Sequence, residues 1–445
     1  MRLIRALLRK ASPFQAITAG FFLVILTGSL LLCLPNAAAG SERCSFLDAL
    51  FTSGSAVCVT GLVVKNTAVY WSDFGKAVIL TLIQIGGLGV ITVVVAILTL
   101  SGNQIGLWQR NVMQVSVNAP QLGGIVRFTR FILIFTACSE GIGMLLLAFV
   151  FIPGYGIGKG LFMALFHSIS AFCNAGFDLM GDKIPFSSLI SFSSSIPVNL
   201  VIMALIVAGG LGFLTWSDLL HCRLRWRRYQ MQTRIVLVTS FFLILLPALM
   251  FFFLEFSSFE LKERTLLSLF QSVTTRTAGF NTADFSGISE GSKLLMIVLM
   301  LIGGSPGSTA GGMKTTTFAV TLVATAGFLR QQKHVNVFGR RIVTPIVREA
   351  YVLLSLYLLN LFAGTLFIST VEKLPVLDCM FECASALGTV GLTTGITTSL
   401  GSASKILLIL FMYFGRVGGL TLAFSALAHE KPGTGKMPTG NIIVG

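Results

Sequence analysis

The chain of 445 residues is 54% hydrophobic and only 11% charged, with a mean hydropathy of +0.86. That composition offers too little polar surface to cover a water-soluble globule, so the solvent of this protein is lipid. The formal net charge of +15 would suit nucleic acid, but basic segments beside apolar spans are also what a membrane protein carries on its cytoplasmic face, and the placement of the charges decides between the two.

Arg2, Arg5, Arg9 and Lys10 precede the first apolar run, 14–34. This run is longer than the apolar stretch of a signal peptide and long enough to span, so it reads as an uncleaved helix. Similar runs follow at 76–100, 128–152, 199–220, 235–256, 293–329, 349–370 and 405–428, giving eight candidate spanning helices. Within each successive pair lies a shorter, half-polar segment, near 45–62, 160–177, 264–280 and 376–392. A segment of that length cannot cross a hydrocarbon layer about 30 Å thick, so these four read as re-entrant. Assigning the N-terminus and every second connection to one side puts 19 basic residues there against three acids, with 11 basic and 13 acidic residues opposite. The positive-inside rule then places both termini in the cytoplasm, and the basic excess becomes an orientation signal with no nucleic acid behind it.

The eight cysteines form no CxxC pair and have no histidine at zinc spacing, so they read as small packing residues; Cys44 alone is clearly loop-borne.

The short segments are one unit written four times. They read ALFTSGSAVCVTGL (49–62), ALFHSISAFCNAGF (164–177), SLFQSVTTRTAGF (268–280) and CMFECASALGTVGL (379–392). Each starts from an aromatic anchor, Phe51, Phe166, Phe270 or Phe381, and ends on a glycine, Gly61, Gly176, Gly279 or Gly391. A second glycine cluster follows in every copy: Gly86-Gly87-Leu88-Gly89, Gly209-Gly210-Leu211-Gly212, Gly303-Gly304-Ser305-Pro306-Gly307 and Gly415-Arg416-Val417-Gly418-Gly419. Close packing between membrane helices explains these clusters equally well, but it does not explain the four loop glycines, which end half-spanning segments at a fixed relation to both flanking helices. The expected fold is an all-α membrane protein of four tandem helix–pore helix–helix repeats around one pseudo-fourfold pore, with eight transmembrane helices and four re-entrant pore helices. The repeats fall at 1–110, 111–228, 229–340 and 341–430, followed by a C-terminal tail at 431–445.

A dehydrated monovalent cation needs oxygen ligands, and a ring of backbone carbonyls supplies them without a fixed countercharge that would hold the ion too tightly. Aiming consecutive carbonyls at one axis takes unusual torsions that glycine reaches readily, and non-helical backbone at this depth must line a shared watery cavity. The candidate filter is therefore Val59-Thr60-Gly61, Asn174-Ala175-Gly176, Thr277-Ala278-Gly279 and Thr389-Val390-Gly391. No ring of acids accompanies it; Asp178 reads as a mouth-lining residue and Arg276 as a structural partner. The stretch Gly303, Gly304, Ser305, Pro306, Gly307, Ser308, Thr309, Ala310, Gly311, Gly312 cannot hold a continuous helix. It should break the last span of the third repeat into a loop below the filter, a natural gate, with a static kink as the alternative. Arg416 lies at the matching position of the fourth repeat, and an intramembrane arginine implies a function or a partner. We read it as completing the intracellular constriction with that loop; Glu140, the one acid away from the ends of a span, is either its partner or a packing residue.

The loops AVCVTGL, CNAGF, TTRTAGFNT and GTVGLTTG, the stretch GGSPGSTAGGMKTTT and the motif FGRVGG together resemble the superfamily of K+ transporters that includes the Trk, Ktr and HKT proteins. The resemblance covers essentially the whole chain, and eight spans without two additional N-terminal ones make it more similar to the KtrB subunits than to the TrkH subunits. It implies a potassium uptake subunit, often activated by Na+, working as a homodimer with one pore per protomer on a cytoplasmic RCK-type, KtrA-like ring. It carries over Gly61, Gly176, Gly279 and Gly391 as filter glycines, 303–312 as gating loop and Arg416 as the arginine opposing it. Any nucleotide belongs to the partner, since no phosphate-binding glycine loop occurs in a soluble segment here. Tails similar to the closing NIIVG pack at the dimer interface in that family. Relatives with serine in the first loop tend toward sodium, so four glycines favour K+ at the filter carbonyls; a sodium-selective or sodium-coupled transporter of the same fold is the alternative. A secondary transporter with alternating access is a further rival, disfavoured by four parallel copies. A membrane enzyme has little to work with, because the four histidines, 167, 221, 334 and 429, are scattered and no acid pair lies inside the spans.

Overall fold

Ser12 and Gln15 close a reciprocal cap on the first helix, Pro13–Leu32, which opens on a proline that needs no hydrogen-bond partner there. The computed structural model describes residues 12–40, 43–100, 106–117, 123–182, 184–223 and 225–426. The basic cluster Arg2 to Lys10 and the tail at 431–445, with its closing NIIVG, lie outside the described residues.

Among the described residues, four helices are long and apolar enough to cross a membrane: Pro13–Leu32, Ile125–Tyr155, Met231–Glu255 and Thr344–Glu372. Their outward faces carry exposed Phe22, Leu145, Phe149, Phe241, Phe253, Phe362 and Leu366, whereas Ser29, Thr136, Glu140 and Ser240 are buried. An apolar outer surface with polar groups buried among the helices suits a lipid solvent. Each long helix packs against a short one that follows it, Phe46–Val57, Ile157–Phe172, Leu261–Thr274 and Val376–Gly388.

A further helix comes after each short one, and its packing links the parts. Asp73–Leu88 packs on Ile157–Phe172, Ile196–Gly210 on Leu261–Thr274, Glu290–Leu301 on Val376–Gly388, and Ser402–Val417 back on Phe46–Val57. Each helix thus reaches the short helix of the next part of the chain, and the last returns to the first. Two of these junctions carry ion pairs, Lys293 to Asp378 at 3.0 Å and Lys405 to Asp48 at 3.1 Å. Between 330 and 343 the chain makes a small hairpin, Asn336–Val337 paired with Arg340–Arg341.

The structure divides the eight predicted runs into two kinds, four that hold one long helix and four that are interrupted. Among the described residues, runs 76–100, 199–220 and 405–428 each break into two helices that bend by 98°, 95° and 96°. The turns fall at Gly89, Gly212 and Gly418, with φ of 86°, 87° and 93°. Only glycine adopts such torsions readily, so the clusters attributed to packing are chain breaks as well. The run 293–329 is interrupted as its glycines and proline predict, by the irregular segment 302–314 between Glu290–Leu301 and Thr315–Leu329, whereas the other three breaks are turns of one or two residues.

Candidate functional site

The segments that follow the four short helices come together. They pass through Val59 (φ 50°) and Gly61 (92°), Asn174 (57°) and Gly176 (68°), Thr277 (70°) and Gly279 (80°), and Thr389 (51°) and Gly391 (94°). A Cβ on Gly61 would lie 2.5 Å from the Ala175 carbonyl oxygen, and one on Gly176 would lie 2.8 Å from that of Ala278. On Gly279 it would strike the Val390 carbonyl, and on Gly391 that of Thr60. The order 61, 176, 279, 391 and back to 61 closes a ring of backbone in direct contact.

Side chains that the sequence reading passed over hold these segments. Four residues after each anchoring phenylalanine stands a buried hydroxyl. Ser55 and Ser385 accept the N–H of Gly61 and Gly391, both at 3.0 Å. Ser170 and Thr274 donate to the carbonyls of Phe177 and Phe280 at 2.7 and 2.6 Å. Two residues after the anchor, Ser53, Ser168 and Ser272 donate to carbonyls of the long helices, Ile25, Glu140 and Ile244, at 2.7, 2.6 and 2.6 Å. The fixed offsets from phenylalanine were the available signal.

On one side of the ring lies a cavity of about 300 Å³ lined by the four glycines with Asn66, Asp178, Ser188, Asn281 and Thr393. Asp178 accepts the Met180 N–H at 3.0 Å and a bond from the Ser188 hydroxyl, yet burial pushes its carboxyl up to about 6. Arg276 turns to the Ser240 hydroxyl at 3.3 Å and does not line that cavity.

On the other side runs the irregular segment 302–314. Its backbone N–H groups at Ser305, Thr309 and Gly312 donate to Gly210, Gly209 and Gly415 at 2.9, 3.2 and 3.1 Å, and the Thr309 hydroxyl donates to Phe172 at 2.9 Å. Arg416 donates to the carbonyls of Thr309, Gly86 and Gly87, the last at 2.9 Å. Lys314 donates to Ala310 at 2.7 Å. A second cavity, of about 250 Å³, lies against this segment and is lined by Gly87, Ser116, Phe213, Lys314 and Arg416, among others. Glu140 is not the partner of Arg416: its carboxylate takes the Gln84 amide at 3.1 Å and the Cys173 thiol. Of the residues picked out in the sequence, Gly61, Gly176, Gly279 and Gly391 share the first cavity, and Gly307, Ser308, Ala310, Gly312 and Arg416 share the second.

The family model for TrkH, described as cation transport protein, matches residues 6–433. The Ktr system potassium uptake protein B of Bacillus subtilis (strain 168) is 39% identical over 440 residues, covering 98% of this chain and 97% of that protein. The potassium/sodium uptake protein NtpJ of Enterococcus hirae is 37% identical, with 98% of each chain covered. The solved structure of the potassium transporter TrkH from Vibrio parahaemolyticus superposes with a TM-score of 0.69 at 23% identity, covering 92% of this chain and 85% of that one, and shows a shared fold. The loops that join around the glycine ring and the segment beneath them thus sit in a chain that belongs to the TrkH family of cation transport proteins.

Proposed function

We propose that this protein takes up potassium across the bacterial cytoplasmic membrane through one pore built from its four repeats, with both termini in the cytoplasm. The closed contact ring of Gly61, Gly176, Gly279 and Gly391 is the observation that carries this reading. In each loop a left-handed residue alternates with an ordinary one, a backbone shape that presents successive carbonyls to one side, as a cation filter requires. The short helices act as pore helices whose C-terminal ends, negative in partial charge, point to the ion. Segment 303–312 and Arg416 form the gate on the cytoplasmic side. The Ktr system name of the relatives supports a regulatory partner; we infer a homodimer on a cytoplasmic nucleotide-binding ring of RCK type, with the nucleotide on the ring and sodium as an activator. The printed name of NtpJ supports a second reading in which sodium is itself carried.

Expression with its partner in a potassium-uptake-deficient bacterium restores growth at micromolar to millimolar potassium, and rubidium isotope uptake competes with potassium more strongly than with sodium. No rescue by an expressed, membrane-inserted protein overturns the pore; equal competition by sodium establishes the second reading.

Ser385→Ala leaves the buried Gly391 N–H without an acceptor, at a cost of about 1–3 kcal/mol. The loop should relax, and the ratio of rubidium to sodium uptake should fall several-fold with little loss of protein in the membrane. An unchanged ratio would show that the hydroxyl does not hold the filter.

Asp178 gives a pH dependence. With its carboxyl at about 6, the outer cavity loses a negative charge as the medium is acidified through that value, and a charged cavity wall concentrates cations. The half-saturating rubidium concentration should therefore rise below pH 6, and Asp178→Asn should show the high value at every pH. Because the native pKa lies above the ordinary 3.8, the folded state binds the proton more tightly, so this group's contribution to stability declines as pH rises between the two values.

A further inference from the structure

We infer that the carbonyl oxygens of Gly86, Gly87 and Thr309 form a binding site for a small monovalent cation, filled in this structure by the guanidinium of Arg416. The inference deepens the gating role given above to Arg416 and rests on it for its transport consequence alone. Three acceptors from two distant segments converge on one cationic group. Gly86 and Gly87 close the helix Asp73–Leu88, where the last carbonyls carry the negative end of the helix dipole. Thr309 belongs to the irregular segment, whose position is fixed independently by its own N–H and hydroxyl bonds to Gly209 and Phe172. The oxygens are therefore held in place by contacts that do not involve Arg416.

The charge of Arg416 is balanced by dipoles only. Among the described residues no ion pair includes it, and the carboxylate of Glu140 is engaged by Gln84 and Cys173. A neutral cluster of backbone oxygens is the ligand set that suits alkali cations and guanidinium alike, since both are weakly hydrated compared with divalent ions and accept dipoles in place of water. The neighbouring carbonyl, Ala310, is likewise taken by a tethered cation, the Lys314 ammonium at 2.7 Å. Two consecutive carbonyls of the segment thus meet positive groups from two different parts of the chain. The cavity of about 250 Å³ that reaches Arg416 and Gly87 gives a free ion a route to the same oxygens once the side chain is gone.

Chemical complementation of Arg416→Ala tests this. Guanidinium chloride at concentrations on the order of millimolar, far below those that denature, should reoccupy the site and raise the melting temperature of the purified full-length variant by a few degrees. It should also cut rubidium flux through the variant about tenfold, the factor expected at concentrations near ten times its dissociation constant. Wild type, whose site is full, should respond to neither, and urea, equal in shape but neutral, should do nothing to either protein. Excess potassium should weaken the stabilisation by guanidinium, and excess N-methylglucamine should not. Equal responses of wild type and variant, or equal effects of urea and guanidinium, overturn the site. A variant too inactive for flux is decided by the melting shift alone. Absence of rubidium flux through wild type would count against the pore and leave the melting experiment standing as the test of the site.

Discussion

Gly279→Ala should abolish rubidium uptake while leaving a folded protein in the membrane. The residue has φ of 80°, and a Cβ there would strike the Val390 carbonyl oxygen while lying 3.1 Å from the Gly176 Cα. A left-handed torsion costs a residue with a side chain about 1–2 kcal/mol, which a protein of this size survives. The contact with Val390 is the larger problem. The methyl group cannot be relieved by a rotamer change, so the backbone of the third or fourth loop must move, and the carbonyl that moves is one of the proposed ion ligands. A displacement of some tenths of an ångström at one ligand breaks the ring, so we expect at least a hundredfold loss of uptake against a stability loss of about 1–3 kcal/mol. Gly291→Ala is the control, because a Cβ there meets nothing within 4 Å, and it should transport normally. Isotope uptake normalised to protein in the membrane measures both. Normal uptake by Gly279→Ala would remove the third loop from the ion path.

Why those glycines were legible in the sequence, and much else was not, has a physical reason. Gly61, Gly176, Gly279 and Gly391 occupy torsions and approaches that exclude a side chain, so the residue type itself reports the geometry. The preceding left-handed residues give no such report. Asn174 is of a type that tolerates the conformation, but Val59, Thr277 and Thr389 are β-branched and disfavour it; the surrounding bonds hold them there. Ser55, Ser170, Thr274 and Ser385 look like ordinary small polar residues of a membrane helix until the loops they hold are in view.

The helix breaks were hidden for a different reason. VITVVVAILTL after Gly89 continues the hydropathy of the run before it, so nothing in the pattern marks a 98° bend. Gly-Gly-x-Gly moreover serves two ends at once. A Cβ on Gly86, Gly209 or Gly415 would collide with the carbonyl of Val57, Phe172 or Leu387, so the first glycine of each cluster is a packing surface and a later one is the turn. The long helices, by contrast, were legible with small errors at their ends, because twenty apolar residues in lipid have few alternatives.

Arg416→Gln should raise maximal uptake by about tenfold and leave the ratio of rubidium to sodium unchanged. Glutamine keeps a donor but loses the charge and the second arm of the fork that lets one side chain hold Thr309 together with Gly86 and Gly87. Hydrogen bonds from a charged donor are worth about 1.5–3 kcal/mol each, and losing the equivalent of one shifts a closed-to-open equilibrium by about ten- to a hundredfold. The segment does not fall apart, because its own bonds to Gly209, Gly210, Gly415 and Phe172 persist, so the expected consequence is more frequent opening of an intact gate. Removing a positive charge from the path acts in the same direction. Selectivity should not follow, since the hydrogen bonds of Arg416 go to Thr309, Gly86 and Gly87 and not to the four glycines whose backbones form the ring. The two variants should thus separate the two proposed halves of the pathway: Gly279→Ala should act on which ion passes and whether any does, Arg416→Gln on how often. A changed rubidium to sodium ratio at constant maximal uptake would transfer Arg416 from the gate to the filter, and no change in either would remove it from both.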